Sequence, residues 1–198
     1  MPAAIANRQR AVPVSSARLA RAASRALAAV GRAAGDVDVL VVDDAEIRRL
    51  NARHRGVARR TDVLAFPLET PDAALPLVGQ IVISAETAAR QARRLDVPLA
   101  TELDLLVTHG VLHLVGYDDR DPIEAALMHG REREILQSGR RQLPAKLWQG
   151  LLDETSTAQR TKRARRSRVA PISGHPRNKP GSRTPLQQTK PASRTPLQ

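Results

Sequence analysis

The chain has no cysteine among its 198 residues. Disulfide bonds and thiolate metal ligands are therefore excluded, which suits a protein of the cytosol. Only three aromatic residues occur, Phe66, Tyr117 and Trp148, so a core has to be built from Leu, Val, Ile and Ala. No apolar run approaches the ~20 residues of a membrane span. The first residues also show no apolar signal-peptide core with a small-residue cleavage site. These absences predict a cytoplasmic location.

The positive charge is divided unevenly along the sequence. The whole chain carries 32 basic and 20 acidic residues, a net of +12, and residues 151–198 hold eleven of the basic and two of the acidic ones. This leaves a net charge of only +3 for residues 1–150. We therefore predict a folded domain over residues 1–152 and a basic tail over residues 153–198.

The tail has the composition of a segment without a hydrophobic core. It contains the cluster KRARRSR from Lys162 and two related nine-residue units, KPGSRTPLQ from Lys179 and KPASRTPLQ from Lys190. Such a segment cannot bury enough apolar surface to offset its ordering entropy, so we predict disorder. Its charge would bind RNA phosphates without sequence preference; the alternative is a solvated tail that has no role.

Hydrophobic periodicity predicts helices and strands in an irregular alternation. Helices are expected at residues 15–30, from Asp43 or Asp44 past Leu50, from Ser84 to about 95, from Pro98 or Thr101 to about 115, and at 123–136. Strands are expected at residues 37–42, 63–66 and 81–83, with a basic loop at 53–60 and a proline-rich loop at 67–78. Because this order does not repeat βαβ units, we predict an α+β fold with a small mixed sheet packed by helices.

The stretch from Thr108 to Asp119, THGVLHLVGYDD, indicates a metal site. His109 and His113 are four residues apart in an otherwise apolar helical segment, so both imidazoles lie on one face, ~5–6 Å apart at Cβ. Gly116 tolerates a positive φ, which lets the helix end and the acidic residues fold back. Two helix ligands and a third just beyond leave the open position that catalytic zinc needs. The simpler alternative is a coincidental pair of histidines.

The same stretch resembles the signature of the YbeY family, bacterial zinc-dependent endoribonucleases of ribosomal RNA maturation, whose pattern is H-G-x-L-H-L-x-G-Y-D-H. Ten of its eleven places match from His109 to Asp118, and Asp119 stands where the family has its third histidine. Upstream, LN at 50–51, HRG at 54–56, TDVLAFP at 61–67 and GQIVI at 79–83 resemble further family motifs, with Gln80 in place of an acid. Downstream, Glu124, Ala125, Met128 and Glu132 match the next helix. The match covers roughly residues 12 to 150.

This resemblance implies a zincin-like metal-site helix and one zinc ion held by His109, His113 and Asp119. It implies cleavage of single-stranded regions of precursor ribosomal RNA, at the 3′ end of the small-subunit RNA, together with ribosome quality control. The implied partners are that RNA and the small ribosomal subunit. It also points to Arg55 as a catalytic and substrate-binding residue, and a guanidinium can indeed pair with two phosphate oxygens at once. The alternative for Arg55 is a solvated charge in a basic loop.

The catalytic base is not fixed by the sequence. The helix resembles the H-E-x-x-H of zinc proteases, but Gly110 occupies the place of their catalytic glutamate, which argues against a standard metalloprotease mechanism. The base is then a hydroxide on the metal, a phosphate of the substrate, or Asp118.

The carboxylate at position 119 changes the expected properties of the metal. Carboxylate is a legitimate zinc ligand, but two neutral imidazoles and one carboxylate leave a formal charge of +1 around Zn²⁺, where three histidines leave +2. We therefore expect metal binding with a shifted activity optimum or metal preference, and Mn²⁺ or Fe²⁺ are less favoured alternatives. His129 is a second candidate for the third ligand, but Gly130 and the helical pattern favour a surface position for it.

Two other classes of function are compatible with parts of this pattern. One is a non-catalytic RNA-binding or ribosome-binding factor with a degraded metal site, whose basic tail does the binding. The other is a non-haem iron oxygenase that uses a two-histidine, one-carboxylate triad. Cleavage of RNA that a chelator abolishes would separate the ribonuclease from the non-catalytic factor.

Overall fold

In a computed structural model of the chain, the structure describes residues 3–68, 77–138 and 142–148. The predicted tail and the boundary at residue 152 lie outside these residues. The elements in chain order are β1 (Ala3–Asn7), α1 (Ser16–Ala29), β2 (Asp36–Val42), α2 (Asp44–Arg55), β3 (Val63–Pro67), β4 (Leu77–Ser84), α3 (Ala85–Leu95), α4 (Leu99–Leu114), α5 (Pro122–Gln137) and a 3₁₀ helix, η1 (Ala145–Trp148).

The four strands form one mixed sheet with the order β1-β2-β4-β3. The pairs β1–β2 and β2–β4 are parallel, with Val39 opposite both Ile5 and Ile81. The last pair is antiparallel, with Val63 opposite Ile83. This architecture confirms the predicted α+β fold with a small mixed sheet.

The two faces of the sheet are covered unequally. The larger core cluster joins one face to α1, α3, α4, α5 and η1, and it includes Leu105, Leu106 and Trp148. The smaller cluster lies under α2 and contains Val42, Ile47, Leu64 and Val82. Because each fully buried aliphatic side chain contributes roughly 1.5–3 kcal/mol, most of the hydrophobic stabilisation lies on the face that carries α4.

Local sequence signals set most helix starts. The side-chain oxygens of Ser15, Asp43, Ser84 and Asp121 each accept a hydrogen bond from a backbone N–H in the first turn of the following helix. Such caps satisfy N–H groups that have no partner within the helix. The structure thereby selects Ser15 over Ser16, and Asp43 over Asp44. Pro98 precedes α4 without a side-chain cap.

Four elements differ from the sequence prediction, and one of them is η1, which was not predicted. Strand β1 was not predicted, because its sequence AAIAN has a low intrinsic strand propensity and becomes a strand only by pairing with β2. Strand β4 begins at Leu77, inside the predicted loop, because it extends along β2 and β3. Helix α2 continues to Arg55, inside the predicted basic loop, and ends where Gly56 adopts a φ of 69°.

Helix α4 approaches the sheet closely at Gly110. A Cβ atom built on this residue would lie 2.8 Å from Cγ2 and 2.9 Å from Cδ1 of Ile81 in β4. Gly110 therefore faces the sheet, while His109 and His113 reach the edge near β3. Among the described helices, none is both long and apolar enough to cross a membrane.

Candidate metal centre

The two histidines of α4 lie together, as their spacing predicts. Thirteen of the sixteen residues of α4 are buried, including His109, whereas His113 is half-buried. The two rings are nearly perpendicular, with centroids 4.5 Å apart. Their Nε2 atoms are 3.0 Å apart. Tight packing of the helix therefore fixes both imidazoles in one small volume.

The turn after α4 brings Asp119 to the same place. Gly116 has a φ of 97°, and the N–H of Tyr117 donates to the carbonyl oxygen of Leu112. The carboxylate of Asp119 then lies 3.8 Å from Nε2 of His109 and 3.9 Å from Nε2 of His113. One atom from each of the three residues lies within 4.8 Å of the other two. The group therefore has the composition and spacing of a site for one metal ion.

The outer nitrogens of both rings already have partners. Nδ1 of His109 lies 2.8 Å from a carboxylate oxygen of Glu132, and Nδ1 of His113 lies 2.9 Å from the carbonyl oxygen of Tyr117. Because both partners are acceptors, each Nδ1 carries the hydrogen and each Nε2 offers a lone pair. Two lone pairs 3.0 Å apart repel each other unless a proton or a metal ion lies between them. The donor set therefore fits a metal ion.

Glu132 contacts the histidine group, although the sequence did not single it out beyond its family match. It is fully buried on α5, and its second oxygen lies 2.9 Å from Nδ1 of His129. The expectation that His129 lies on the surface is wrong, because this residue is buried against Glu132. The sequence did contain an indication of this contact. Met128, Glu132 and Ile135 have helical spacing, which places the carboxylate of Glu132 on the core-facing side of the helix. A buried carboxylate needs a partner.

Burial and charge act differently on the ionisable groups of this cluster. Burial opposes the charged form of Glu132, but hydrogen bonds from His109 and His129 outweigh it and lower the pKa of Glu132. Burial also opposes protonation of His109, yet the hydrogen bond and charge of Glu132 raise the pKa of His109. Burial and the neighbouring His109 lower the pKa of His113. His113 is therefore held neutral, as a ligand must be.

The three residues open onto a cavity of about 800 Å³ between α4 and α2. Its lining includes both other predicted site residues, Arg55 and Asp118, and also Arg59. Arg120 donates hydrogen bonds of 2.7 and 3.0 Å from Nε to the carboxylate of Asp118 and lowers its pKa to about 2. Asp118 thus lies near the metal group but is paired with a surface arginine.

Comparison with known protein families matches residues 4–140 to the model described as Endoribonuclease YbeY. The chain belongs to the YbeY family. The match begins about eight residues earlier than the motifs indicated, because it includes β1, and it ends before η1. The resemblance inferred from the motifs is thereby confirmed.

Several curated relatives carry the same name. An Endoribonuclease YbeY of Geobacter metallireducens is 39% identical over 68% of this chain and 93% of its own length. That of Anaeromyxobacter sp. (strain Fw109-5) is 45% identical over 61% of this chain, and the match spans 63% of the relative's own length. The solution structure of a Thermotoga maritima protein is similar with a TM-score of 0.49 and 23% identity, and it covers 87% of this chain and 99% of that one.

Proposed function

We propose that this chain is a metal-dependent endoribonuclease that cuts single-stranded regions of precursor ribosomal RNA at the 3′ end of the small-subunit RNA. The single observation that carries the proposal is the convergence of two Nε2 lone pairs and the Asp119 carboxylate on one point of an open, arginine-lined cavity. The family name of the relatives points to the same reaction class. A non-catalytic RNA-binding role is less well supported, because the ligand group is complete.

The proposed ligands are His109, His113 and Asp119, and the ion we propose is Zn²⁺. When bound, such an ion polarises a phosphoryl oxygen and lowers the pKa of a coordinated water. Glu132 and the Tyr117 carbonyl hold the Nδ1 hydrogens, so that each Nε2 lone pair points into the site. Three protein ligands leave room for substrate oxygens, which is the arrangement of catalytic rather than structural sites.

Arg55 is the proposed phosphate-binding residue. It is the last residue of α2, is exposed, lines the cavity, and lies close enough to His113 for its charge to contribute to lowering that histidine's pKa. Within the described residues its guanidinium has no ion pair. It can therefore give two hydrogen bonds to one phosphate without breaking an internal contact.

Asp118 is the proposed protein base, and its pairing with Arg120 sets a condition on that role. A carboxyl group with a pKa of about 2 accepts a proton weakly. Asp118 can act as a base only if Arg120 first leaves it, for example to bind a substrate phosphate. Asp118→Asn, compared with Arg120→Gln, tests this: loss of the arginine should raise the pKa of Asp118 and raise the activity near neutral pH, where the carboxylate is still ionised. Adding Asp118→Asn to Arg120→Gln should abolish that gain.

The remaining parts of the proposal concern location and partners. We infer that the protein acts in the cytoplasm on precursor RNA in the small ribosomal subunit, with a further role in ribosome quality control. Residues 1–152 would form the ribonuclease domain, and residues 153–198 would raise RNA affinity through their charge. Deleting residues 155–198 should leave the cut positions unchanged and weaken RNA binding, mainly at low salt.

The experiment that tests the proposal measures metal content and cleavage together. The purified full chain should contain about one equivalent of zinc and should cut single-stranded RNA until a chelator is added. His113→Ala should lose both metal and cleavage. His54→Ala is the matched control, because His54 is exposed on α2, packs against Phe66 at a centroid distance of 5.0 Å, and lies outside the ligand group.

Two outcomes would contradict the proposal. Cleavage by His113→Ala at the parent rate would exclude the ligand group as the active site. Cleavage of RNA that persists at full rate in chelator after the metal is shown to be removed would exclude metal dependence.

Asp119→His, which restores the family residue, should keep metal binding and shift the metal preference towards zinc.

A further inference from the structure

A second cavity, of about 630 Å³, lies beside the metal cavity. It is lined by Asp44, Arg48, Arg59, Arg60 and Thr87, together with two alanines. Arg59 lines both cavities, so they share a wall formed by the loop at residues 57–60. A chain molecule bound at the metal group could therefore continue past Arg59 into the second cavity.

The charge of the folded part is concentrated along this wall. Residues 44–60 contain six arginines and two acidic residues, a net of +4, whereas the rest of residues 1–150 has fifteen basic and sixteen acidic residues. In the metal cavity, by contrast, Arg55, Arg59 and Arg120 are balanced by Asp62, Asp118 and Asp119. The excess positive charge that attracts a polyanion therefore lies on α2 and its loop.

The loop that carries Arg59 and Arg60 is held by α2. The amide of Asn51, which is buried, donates to the carbonyl oxygen of Arg59 at 2.7 Å. Nε of Arg48 donates to the carbonyl oxygen of Ala58 at 3.1 Å. Because these hydrogen bonds fix the backbone, the arginine side chains are presented at a defined place on the surface.

The acidic residue of the second cavity does not cancel these arginines. The carboxylate of Asp44 accepts hydrogen bonds from Ser84 Oγ, Thr87 Oγ1 and Arg90 Nη2 at 2.6–2.7 Å. Arg60 lies 3.9 Å from it, the distance of a weak ion pair. Arg90 already offsets the charge of Asp44, which leaves Arg59, Arg60 and the Nη atoms of Arg48 available to anions.

We propose that the cavity of Arg48, Arg59 and Arg60 is a second phosphate-binding subsite for the RNA strand whose scissile phosphate lies at the metal group. This inference rests on the proposed ribonuclease function. RNA is favoured over an acidic protein because the two cavities are adjacent across Arg59 and a single nucleic-acid strand places phosphates along its whole length. The subsite holds the backbone and so selects for strand length rather than base sequence.

The test uses a double substitution that removes charge and keeps hydrogen-bonding capacity. Arg48→Gln with Arg60→Gln keeps the side chain of Arg59, which also lines the metal cavity. Arg60→Gln alone is measured beside it, because it keeps the hydrogen bond from Arg48 to the loop and should still weaken binding of the long RNA. The matched control is Arg21→Gln with Arg32→Gln, two exposed arginines at and beyond α1. Binding of a labelled single-stranded RNA of about 20 nucleotides, longer than one typical strand-binding site, is measured by anisotropy in chelator at several salt concentrations. Cleavage is measured with metal on this RNA and on a dinucleotide.

The double variant should bind the long RNA about ten-fold more weakly, because two charge-assisted hydrogen bonds to phosphate are removed. The slope of log affinity against log salt should fall by roughly 0.7 for each phosphate that the protein no longer neutralises. The ratio of kcat/KM for the long over the short RNA should fall by a similar factor. The control variant should match the parent in every measurement.

Three results would overturn the subsite. The first is an unchanged slope of log affinity against log salt. The second is an equal decrease of kcat/KM on the dinucleotide and on the long RNA. The third is weaker binding of a polyglutamate peptide while RNA affinity stays the same, which would assign the surface to an acidic protein. RNA binding is measured in chelator and so does not depend on cleavage. A parent protein that binds RNA with the expected salt dependence but never cleaves it would therefore contradict the ribonuclease proposal and leave the subsite proposal standing. Circular dichroism of both variants excludes unfolding as the cause.

Discussion

Helices α4 and α2 both line the metal cavity, yet they are built in opposite ways. Thirteen of the sixteen residues of α4 are buried, whereas only Ile47 and Asn51 of the twelve in α2 are. Helix α4 supplies the proposed metal ligands, which must hold a fixed geometry, and α2 supplies the arginines that we propose bind a flexible strand. The comparison teaches that the packing density of each helix matches the precision that its side chains need.

We expect the largest effect on stability when the same substitution, leucine to alanine, is made in each of the two helices. Leu106→Ala in α4 removes a fully buried side chain and should cost about 2–5 kcal/mol of unfolding free energy. Leu50→Ala in α2 removes a half-buried one and should cost about 1 kcal/mol. Denaturant unfolding measures both. If both substitutions lowered the free energy of unfolding by the same amount, the two helices would not differ in packing as we infer.

The next effect concerns the approach of α4 to the sheet. Gly110→Ala should destabilise the protein by about 1–2 kcal/mol, because overpacking against Ile81 exceeds the gain in helix propensity. Gly130→Ala in α5 is the matched control: its Cβ would meet nothing within 4 Å, so it should stabilise by about 0.5–1 kcal/mol. In an Ile81→Ala background the cost at Gly110 should disappear, and a persistent cost would contradict the packing argument.

The third effect tests the support behind the ligands. Glu132→Gln leaves one of two histidines without an acceptor and should weaken metal binding by about 10–100-fold. Titration calorimetry with zinc measures this directly, independently of RNA cleavage. Glu134→Gln, an exposed change on the same helix, is the control. Unchanged affinity in Glu132→Gln would show that Glu132 is structural only.

The last effect is a pH dependence at the N-terminal part of α4. Burial, aided by the nearby charge of Asp62, raises the pKa of Glu102 to about 8. The folded protein therefore binds more protons than the unfolded chain between about pH 4.5 and 8, and stability falls as the pH rises through this window, by at most about 1.4 kcal/mol per pH unit.

Glu102→Gln should remove this fall and make the protein more stable than the parent at about pH 8, the pKa of Glu102. Thermal unfolding from about pH 5 to about pH 8 measures the difference between the two chains. Glu134→Gln should follow the parent at every pH. A variant that loses stability at the upper end of this range would mean that the ionised carboxylate has a partner.

Much of the candidate metal site was predictable because its determinants are local. The i, i+4 spacing of His109 and His113 and the positive φ of Gly116 act within a short stretch of chain, and the structure brings Asp119 to them. Most helix starts were predictable for the same reason. The roles of Arg55 and Asp118, and the tail, stay predictions.

Contacts between distant segments were not predictable in this way. Glu132 meets His109 across 23 residues of sequence, and β1 pairs with β2, which follows it only after the whole of α1. Periodicity indicates that a side chain faces inward, but it does not say which other element it will meet. His129 was misplaced for this reason, since its partner Glu132 is buried with it.

Short stretches of sequence were enough to predict which residues can bind a metal, where most helices start, and which family the chain belongs to. The order of the strands, the buried carboxylate behind the histidines, and the wall shared by two cavities became visible only in the packed fold. Local spacing is encoded in backbone geometry over a few residues. Convergence of distant side chains depends on how whole helices pack on the sheet, which no short stretch of sequence specifies.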